Sequence, residues 1–221
     1  MAGLPERLLL LALDDEKGSV VSSAAMQIEY GLAGAQLVEL ALAGRVDVGT
    51  KELRLVDPSP TGDELLDAAL ETVAASDRSR SLDHWVHKLC RGAKKQYLER
   101  LAATGLVRRE RHEILGLVRF TRYPVASTSV EEADRTALRD AVLGTGALDA
   151  RGTALLALVD ACDLCSSFLD RSERKRAKAR IEELTRGDQV GDAVERTAAA
   201  AAAAVAAAVT AATVAATAST S

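Results

Sequence analysis

Apolar residues recur every three or four positions through most of the chain, which is the spacing of amphipathic helices. The clearest stretch predicts a helix over residues 26–43, with Gly44 as its C-terminal stop. The same pattern predicts further helices at residues 5–13, 65–73, 81–89, 93–103, 129–143, 149–169 and 173–185, and a last one from residue 188 into a run of alanines. We therefore expect a mainly α protein, a single globular domain built on a bundle of apolar helices.

Two segments interrupt the helical pattern with short β-prone runs, and each predicts a β-hairpin. The first spans residues 45–56 around a Gly-Thr-Lys turn. The second has predicted strands at residues 106–109 and 117–121 around a loop at 110–116, and Pro124 closes it. Because the second hairpin follows a helix directly, we expect it to project in a winged-helix-like arrangement.

Composition agrees with a helical core made from leucine, alanine and valine. The chain is 48% hydrophobic and 27% charged, but only 3% aromatic. Its three cysteines, an odd number, indicate no disulfide framework and suit a reducing compartment. The apolar run at residues 8–13 is too short for a signal peptide, so we expect a cytoplasmic protein.

The C-terminal end is long enough to raise the question of a membrane span. Residues 197–221 carry no charge, but they are mostly alanine and threonine, which offer little apolar area. We interpret residues 1–212 as the folded domain, its last helix packing on the bundle, and residues 213–221 as a frayed Ala/Thr-rich tail.

Charge divides the chain into three blocks. Residues 1–88 have a net charge of −7, residues 89–122 of +6 and residues 123–221 of −3. A basic island inside an acidic protein can attract one kind of anion without binding nucleic acid in general. We interpret the island as the working face, although a solvated helix and a charged hairpin would give the same count.

Catalytic and metal-binding patterns are weak. His84, His87 and Cys90 share a spacing of three, and Cys162 and Cys165 form a CxxC, so a composite zinc site is conceivable. Small buried cysteines explain the pattern as well. No phosphate-loop, nucleophile-elbow or HExxH motif is present, so we predict no enzymatic activity, no cofactor and no metal.

Two rival functions remain open at this point. A winged-helix shape with arginines would suit nucleic acid, but the sequence pI near 5.5 and the acidic flanks argue against it. The same basic face would also suit a protein-interaction module that binds an acidic partner segment and no lipid.

The order of segments along the chain is similar to the Golgi phosphoprotein 3 family, which includes bacterial members, and we identify the chain as a bacterial, actinomycete-type member. The resemblance covers roughly residues 4–210. It is carried by residues 4–18, Gly31 to Gly34, Leu37 to Arg45, Pro60 to Leu70, Trp85, Leu98 to Val107 and Leu155 to Leu158.

The resemblance implies a helical, non-catalytic adaptor that binds phosphatidylinositol 4-phosphate at a membrane surface and retains protein clients. The basic pair of the family's lipid pocket falls on Arg91 and Lys94, and their i, i+3 spacing would place them on one helical face unless Gly92, which we expect to interrupt the helix, breaks it between them. The family's tryptophan and first arginine fall on Ala24 and Ala33, where neither is kept. Half of the expected pocket is therefore missing.

We therefore predict a cytoplasmic, peripherally membrane-associated protein that binds anionic phospholipid headgroups through Arg91, Lys94 and Lys95. Accessory charge would come from the second hairpin. Self-association through residues 108–122 and a protein client are further expected partners. The predicted hairpin residues are Arg109, Arg111, Arg119 and Arg122, with Ile114 and Leu115 at a tip that contacts a membrane or a second copy.

Overall fold

Two central helices form the middle of the structure. The computed structural model of the chain describes residues 2–14, 17–49, 52–114, 118–126, 128–185 and 193–218. Helix α1 (Leu4–Ala12) begins with Pro5 in its first turn, where the missing N–H of proline is tolerated. Helix α2 (Ile28–Leu42) is buried at every position from residue 31 to 40, as expected of a helix surrounded by others.

The remaining helices pack around α2, and two glycines in α2 let them approach closely. A Cβ atom at Gly34 would lie 2.8 Å from Val205, and one at Gly31 would lie 2.3 Å from the Cys162 sulfur. These contacts bring the alanine-rich C-terminal helix and α7 against α2. The other helices are α3 (Glu64–Ala74), α4 (Leu82–Leu89), α5 (Ala93–Ala103), α6 (Ser129–Leu143), α7 (Ala150–Ala161), α8 (Arg171–Thr185) and α9 (Ala193–Ala218).

The first predicted hairpin is confirmed, and a third strand joins it. Strands β1 (Val46–Val48) and β2 (Glu52–Leu55) pair antiparallel, and β2 also pairs with β3 (Arg80–Ser81). The sequence did not predict β3, because a two-residue strand carries no periodicity. Leu53 is buried while its neighbours along β2 are exposed, so this small sheet covers the core with one face.

The second hairpin lies further along the chain than predicted. Its strands are β4 (Glu110–Ile114) and β5 (Val118–Arg122), so most of the predicted loop at 110–116 is strand. The predicted strand at 106–109 is wrong: these residues connect the hairpin to the body, where Val107 bridges Val125. The antiparallel pairing of β4 with β5 extends from Glu110 to Ile114.

The base of this hairpin is fixed at a glycine. The backbone N–H of Tyr123 donates to the carbonyl of Gly18 at 2.8 Å, and Gly18 has φ +58°. A Cβ atom there would lie 2.2 Å from the backbone nitrogen of Pro124. Only glycine combines this backbone conformation with so close a contact.

Helix α7 ends earlier than the apolar pattern predicted. The sequence suggested a helix to residue 169, but α7 ends at Ala161 and a 3-10 turn follows over Cys165–Ser167. Asp163 has φ +55°, which breaks the α conformation. Leu164 and Leu169 are buried all the same, because the turn folds back onto the bundle. The CxxC therefore lies in a turn and not along a helix.

The C-terminal alanine-rich segment is helical as far as Ala218. Thr213 is buried, and its hydroxyl donates to the carbonyl of Val209 at 2.9 Å. The boundary between residues 212 and 213 stays a prediction. Within the described residues, no helix combines the length and apolar character that a membrane span requires.

Candidate anion-binding site

The turn between α4 and α5 presents the predicted basic residues. Ser81 caps α4, its hydroxyl accepting from the His84 N–H at 3.2 Å, and α4 ends at Leu89. Gly92 then adopts φ +78° and precedes α5. Arg91 therefore lies in the turn, outside both helices. The left-handed Gly92 does break the helix, so Arg91 and Lys94 do not share one helical face.

The three basic residues of this turn differ in their surroundings. Arg91 and Lys95 are exposed, and among the described residues neither side chain has an ion-pair partner. Lys94 is half-buried, and its Nζ lies 3.7 Å from Oε1 of Glu29 at the start of α2. An anion approaching the turn would therefore meet two available cations and a third that already faces a carboxylate.

The N-terminal end of α2 forms the other wall of this region. The ring of Tyr30 meets the ring of His87 edge-on at 5.3 Å, and His87 Nε2 lies 3.6 Å from Asp83 Oδ1. Partial burial raises the pKa of Tyr30, and the Cys90 thiol, Glu29 and Asp83 add to the effect. Two carboxylates, Glu29 and Asp83, therefore lie on the α2 side of the turn.

The two family positions occupied by alanine lie inside the core. Ala24, in a 3-10 turn, and Ala33, in α2, are both fully buried. Ala33 comes one helical turn after Glu29, on the same face of α2. The charge that an arginine would have contributed is absent, and a larger side chain at either position would have to displace its neighbours.

Arg100 belongs to the basic island but has a structural role. Its Nη1 donates to Glu6 Oε1 at 3.0 Å and to Asp63 Oδ2 at 2.6 Å. Asp63 is also the N-cap of α3, where its side chain accepts from the N–H groups of Leu65 and Leu66. Burial opposes the ionisation of Asp63, but hydrogen bonds from Arg100 and these N–H groups lower the pKa of its carboxyl.

The helical pattern indicates that Arg100 needs an anionic partner, although it does not identify Glu6 and Asp63. On α5, residues 93, 97, 100 and 101 share one helical face, and Ala93, Tyr97 and Leu101 are buried. An arginine on a buried face needs an anionic partner, and the Pro-Thr-Gly-Asp segment before α3 supplies it. The net charge of the island alone gave no sign of this division.

The predicted accessory arginines lie on the second hairpin or in the segment that leads into it. Arg109 precedes β4 and is exposed, and Arg111 on β4 is also exposed. Arg122 on β5 lies over the Phe120 ring at 5.2 Å, and His112, which pairs with Phe120 across the strands, stacks on that ring at 5.4 Å.

Part of the predicted hairpin surface lies outside the described residues. Leu115 falls there, as do the side chains of Ile114 and Arg119. In the register, Glu113 pairs with Arg119 and Ile114 with Val118. The predicted contact of the tip with a membrane or a second copy stays a prediction.

The cysteine and histidine residues are not gathered into one site. The Cys90 thiol donates to the carbonyl of His87 at 3.3 Å, and Cys162 lies 3.9 Å from the carbonyl of Gln27. Burial raises the pKa of Cys162 to about 12. Among the described residues, no group of three or more His, Cys, Asp and Glu side chains could hold a metal ion.

Two comparisons relate the chain to known proteins. A family model described as Golgi phosphoprotein 3 (GPP34) matches residues 4–212 of the chain. Vacuolar protein sorting-associated protein 74 of Eremothecium gossypii is 30% identical over 154 residues. The matched part is 59% of this chain and 46% of that relative, so the match spans less than half of the relative's length.

Proposed function

The chain belongs to the Golgi phosphoprotein 3 family, and from that premise we propose that it is a non-catalytic peripheral membrane adaptor. It binds anionic phospholipid headgroups at the α4–α5 turn. The observation that supports this proposal is the pair of exposed cations, Arg91 and Lys95, beside a glycine turn between two anchored helices.

The contrast with Arg100 strengthens the proposal. Arg100 joins α5 to Glu6 and to the cap of α3, so its charge is used inside the fold. Among the described residues, the side chains of Arg91 and Lys95 form no hydrogen bond or ion pair, so their charge remains available to a ligand. The basic island therefore divides into a structural part and a part suited to binding.

The number of available cations sets the expected strength. A basic residue near an anionic surface contributes about 1 kcal/mol. Arg91 and Lys95 would together contribute about 2 kcal/mol, and Lys94 less than a full unit because Glu29 already faces it. Arg109 and Arg111 would add a similar amount if the hairpin meets the same membrane. Binding should therefore be weak to moderate and should fall steeply with salt.

The finer parts of the proposal follow the family. Phosphatidylinositol 4-phosphate is one member of the ligand class, although Ala24 and Ala33 remove two of the groups expected to recognise it. We further propose that residues 108–122 contact a second copy of the chain or the membrane, and that the adaptor binds a protein client.

Vesicle flotation tests the proposal directly. Purified protein is mixed with phosphatidylcholine vesicles alone or with vesicles that also contain phosphatidylglycerol or phosphatidylinositol 4-phosphate. We expect flotation only with the anionic vesicles at about 0.1 M salt, and its loss at about 0.5 M salt. A mobility-shift assay with duplex DNA runs alongside. Equal flotation with neutral vesicles, no flotation at all, or tighter binding to DNA would overturn the proposal.

A further inference from the structure

Glu29 occupies the place where a phosphate would approach Lys94. It lies in the first turn of α2, and its Oε1 is 3.7 Å from Lys94 Nζ. The two side chains are 40% and 38% exposed, so this is a solvent-accessible charge contact that a ligand can replace. Any anion that reaches Lys94 must therefore come close to a carboxylate.

The surroundings reinforce the negative charge. Asp83 faces the same region through His87, and the exposed cations lie on the outer side of the turn. Glu29 and Arg91 act in opposite directions on the thiol of Cys90, whose pKa is raised mainly by burial and then by Glu29. Ala33, one turn further along α2, provides no cation to offset Glu29.

A carboxylate at this position discriminates between ligands by their charge. A phosphodiester headgroup carries one negative charge, whereas a phosphomonoester carries between one and two near neutral pH in addition to its diester. The repulsion from Glu29 grows in proportion to the ligand charge. The cost therefore falls most heavily on headgroups that carry a phosphomonoester.

We propose that Glu29 is a selectivity residue of the headgroup site, which reduces the advantage that a phosphomonoester headgroup would otherwise have over a phosphodiester headgroup at these basic residues. This inference rests on the proposed lipid-binding function of the α4–α5 turn. The chain keeps the family's basic pair as Arg91 and Lys94 but has Ala33 in place of the family's arginine, so no cation on α2 offsets Glu29.

The test compares two kinds of vesicle with the same total surface charge. One contains phosphatidylglycerol and the other phosphatidylinositol 4-phosphate, both in phosphatidylcholine, and dissociation constants are measured by flotation. The wild type should float with both kinds of vesicle, and the ratio of its two dissociation constants is the reference for the variants. Glu29→Gln should shift the ratio about threefold toward phosphatidylinositol 4-phosphate, because it removes one charge close to the ligand.

Glu132→Gln is the matched control. Glu132 is an exposed acid on α6, so its replacement changes the net charge equally but outside α2 and the α4–α5 turn. Thermal melting of both variants shows that they fold. The ratio should change in Glu29→Gln and stay within error in Glu132→Gln.

The outcomes separate the two proposals. If the wild type floats with neither anionic vesicle, the proposed function fails, and the role of Glu29 fails with it. If the wild type floats but its ratio is unchanged in Glu29→Gln, or Glu132→Gln shifts it as much, Glu29 is not a selectivity residue and headgroup binding stands. A ratio that shifts toward phosphatidylglycerol in Glu29→Gln also overturns the selectivity role alone.

Discussion

Replacing Arg100 with methionine should destabilise the fold while leaving the α4–α5 turn in place. Glu6 is only 7% exposed, so its carboxylate would lose its cation in a site that water scarcely reaches. Breaking a buried ion pair by removing one partner costs about 3–5 kcal/mol. The Arg100 and Asp63 side chains are 22% and 38% exposed, which reduces the expected loss to about 2–3 kcal/mol.

The assay is thermal unfolding followed by circular dichroism at pH 7. For a chain of this length the loss corresponds to a fall in Tm of about 5–10 °C. Arg91→Met is the control, because Arg91 is exposed and should change the free energy of unfolding by less than about 0.5 kcal/mol. The two variants should thus separate stability from binding within one basic segment.

The pH dependence provides a second check on the same contact. Because the pKa of Asp63 is lowered in the fold, its contribution to stability is present above the ordinary value of 3.8 and is lost as pH falls through the folded value. The difference between wild type and Arg100→Met should therefore shrink as pH falls from about 5 toward 2. Equal stability of Arg100→Met and wild type at pH 7, or a difference that is constant with pH, would show that the contacts of Arg100 with Glu6 and Asp63 do not stabilise the fold in this way.

Three further predictions concern other parts of the fold. Gly18→Ala should lower the free energy of unfolding by about 2 kcal/mol or more, because its Cβ would meet the backbone of Pro124 at 2.2 Å. Gly44→Ala has a similar positive φ with no neighbour within 4 Å and should cost only about 1 kcal/mol, as melting curves of both would show. If the second hairpin carries self-association, replacing residues 115–117 with Asn-Gly should reduce the mass measured by light scattering to that of a monomer, and an unchanged oligomer would exclude the hairpin. The buried Cys162 thiol should resist alkylation at pH 8 until urea is added, and early labelling seen by mass spectrometry would contradict its burial.

Elements with a strong local signal could be predicted from the sequence. The apolar stripe and the terminal glycine of α2 gave its extent to within two residues at the start and one at the end. Gly92 correctly marked the break between α4 and α5, because a left-handed glycine ends one helix and precedes the next. The family assignment was confirmed by the model that matches residues 4–212.

Elements that depend on tertiary contacts were predicted less well. The shift of the second hairpin arises from pairing across the strands and from the contact between Gly18 and Tyr123, which no local pattern reveals. The early end of α7 depends on Asp163, whose left-handed conformation is unusual for a residue other than glycine. Leu164 and Leu169 belong to the apolar pattern that predicted the longer helix, and they are buried although α7 ends before them.

In the candidate site too, the sequence located the basic residues but not their tertiary contacts. Composition located the basic segment, and the resemblance singled out Arg91 and Lys94. Neither could show that Lys94 faces Glu29, or that Arg100 is held by Glu6 and Asp63. Each of these contacts joins residues more than 30 positions apart, so they exist only once the helices have packed.

A charge reversal at the α4–α5 turn is the sharpest test of headgroup binding by Arg91 and Lys95. Arg91→Glu with Lys95→Glu is compared with Arg171→Glu and Lys175→Glu, an exposed pair on α8 with the same change in net charge. Dissociation constants are measured by flotation on phosphatidylglycerol-containing vesicles at about 0.1 M salt. We expect at least a tenfold loss of vesicle affinity for the turn variant and a loss of less than about threefold for the α8 variant. Equal affinities of the two folded variants would contradict headgroup binding at this turn.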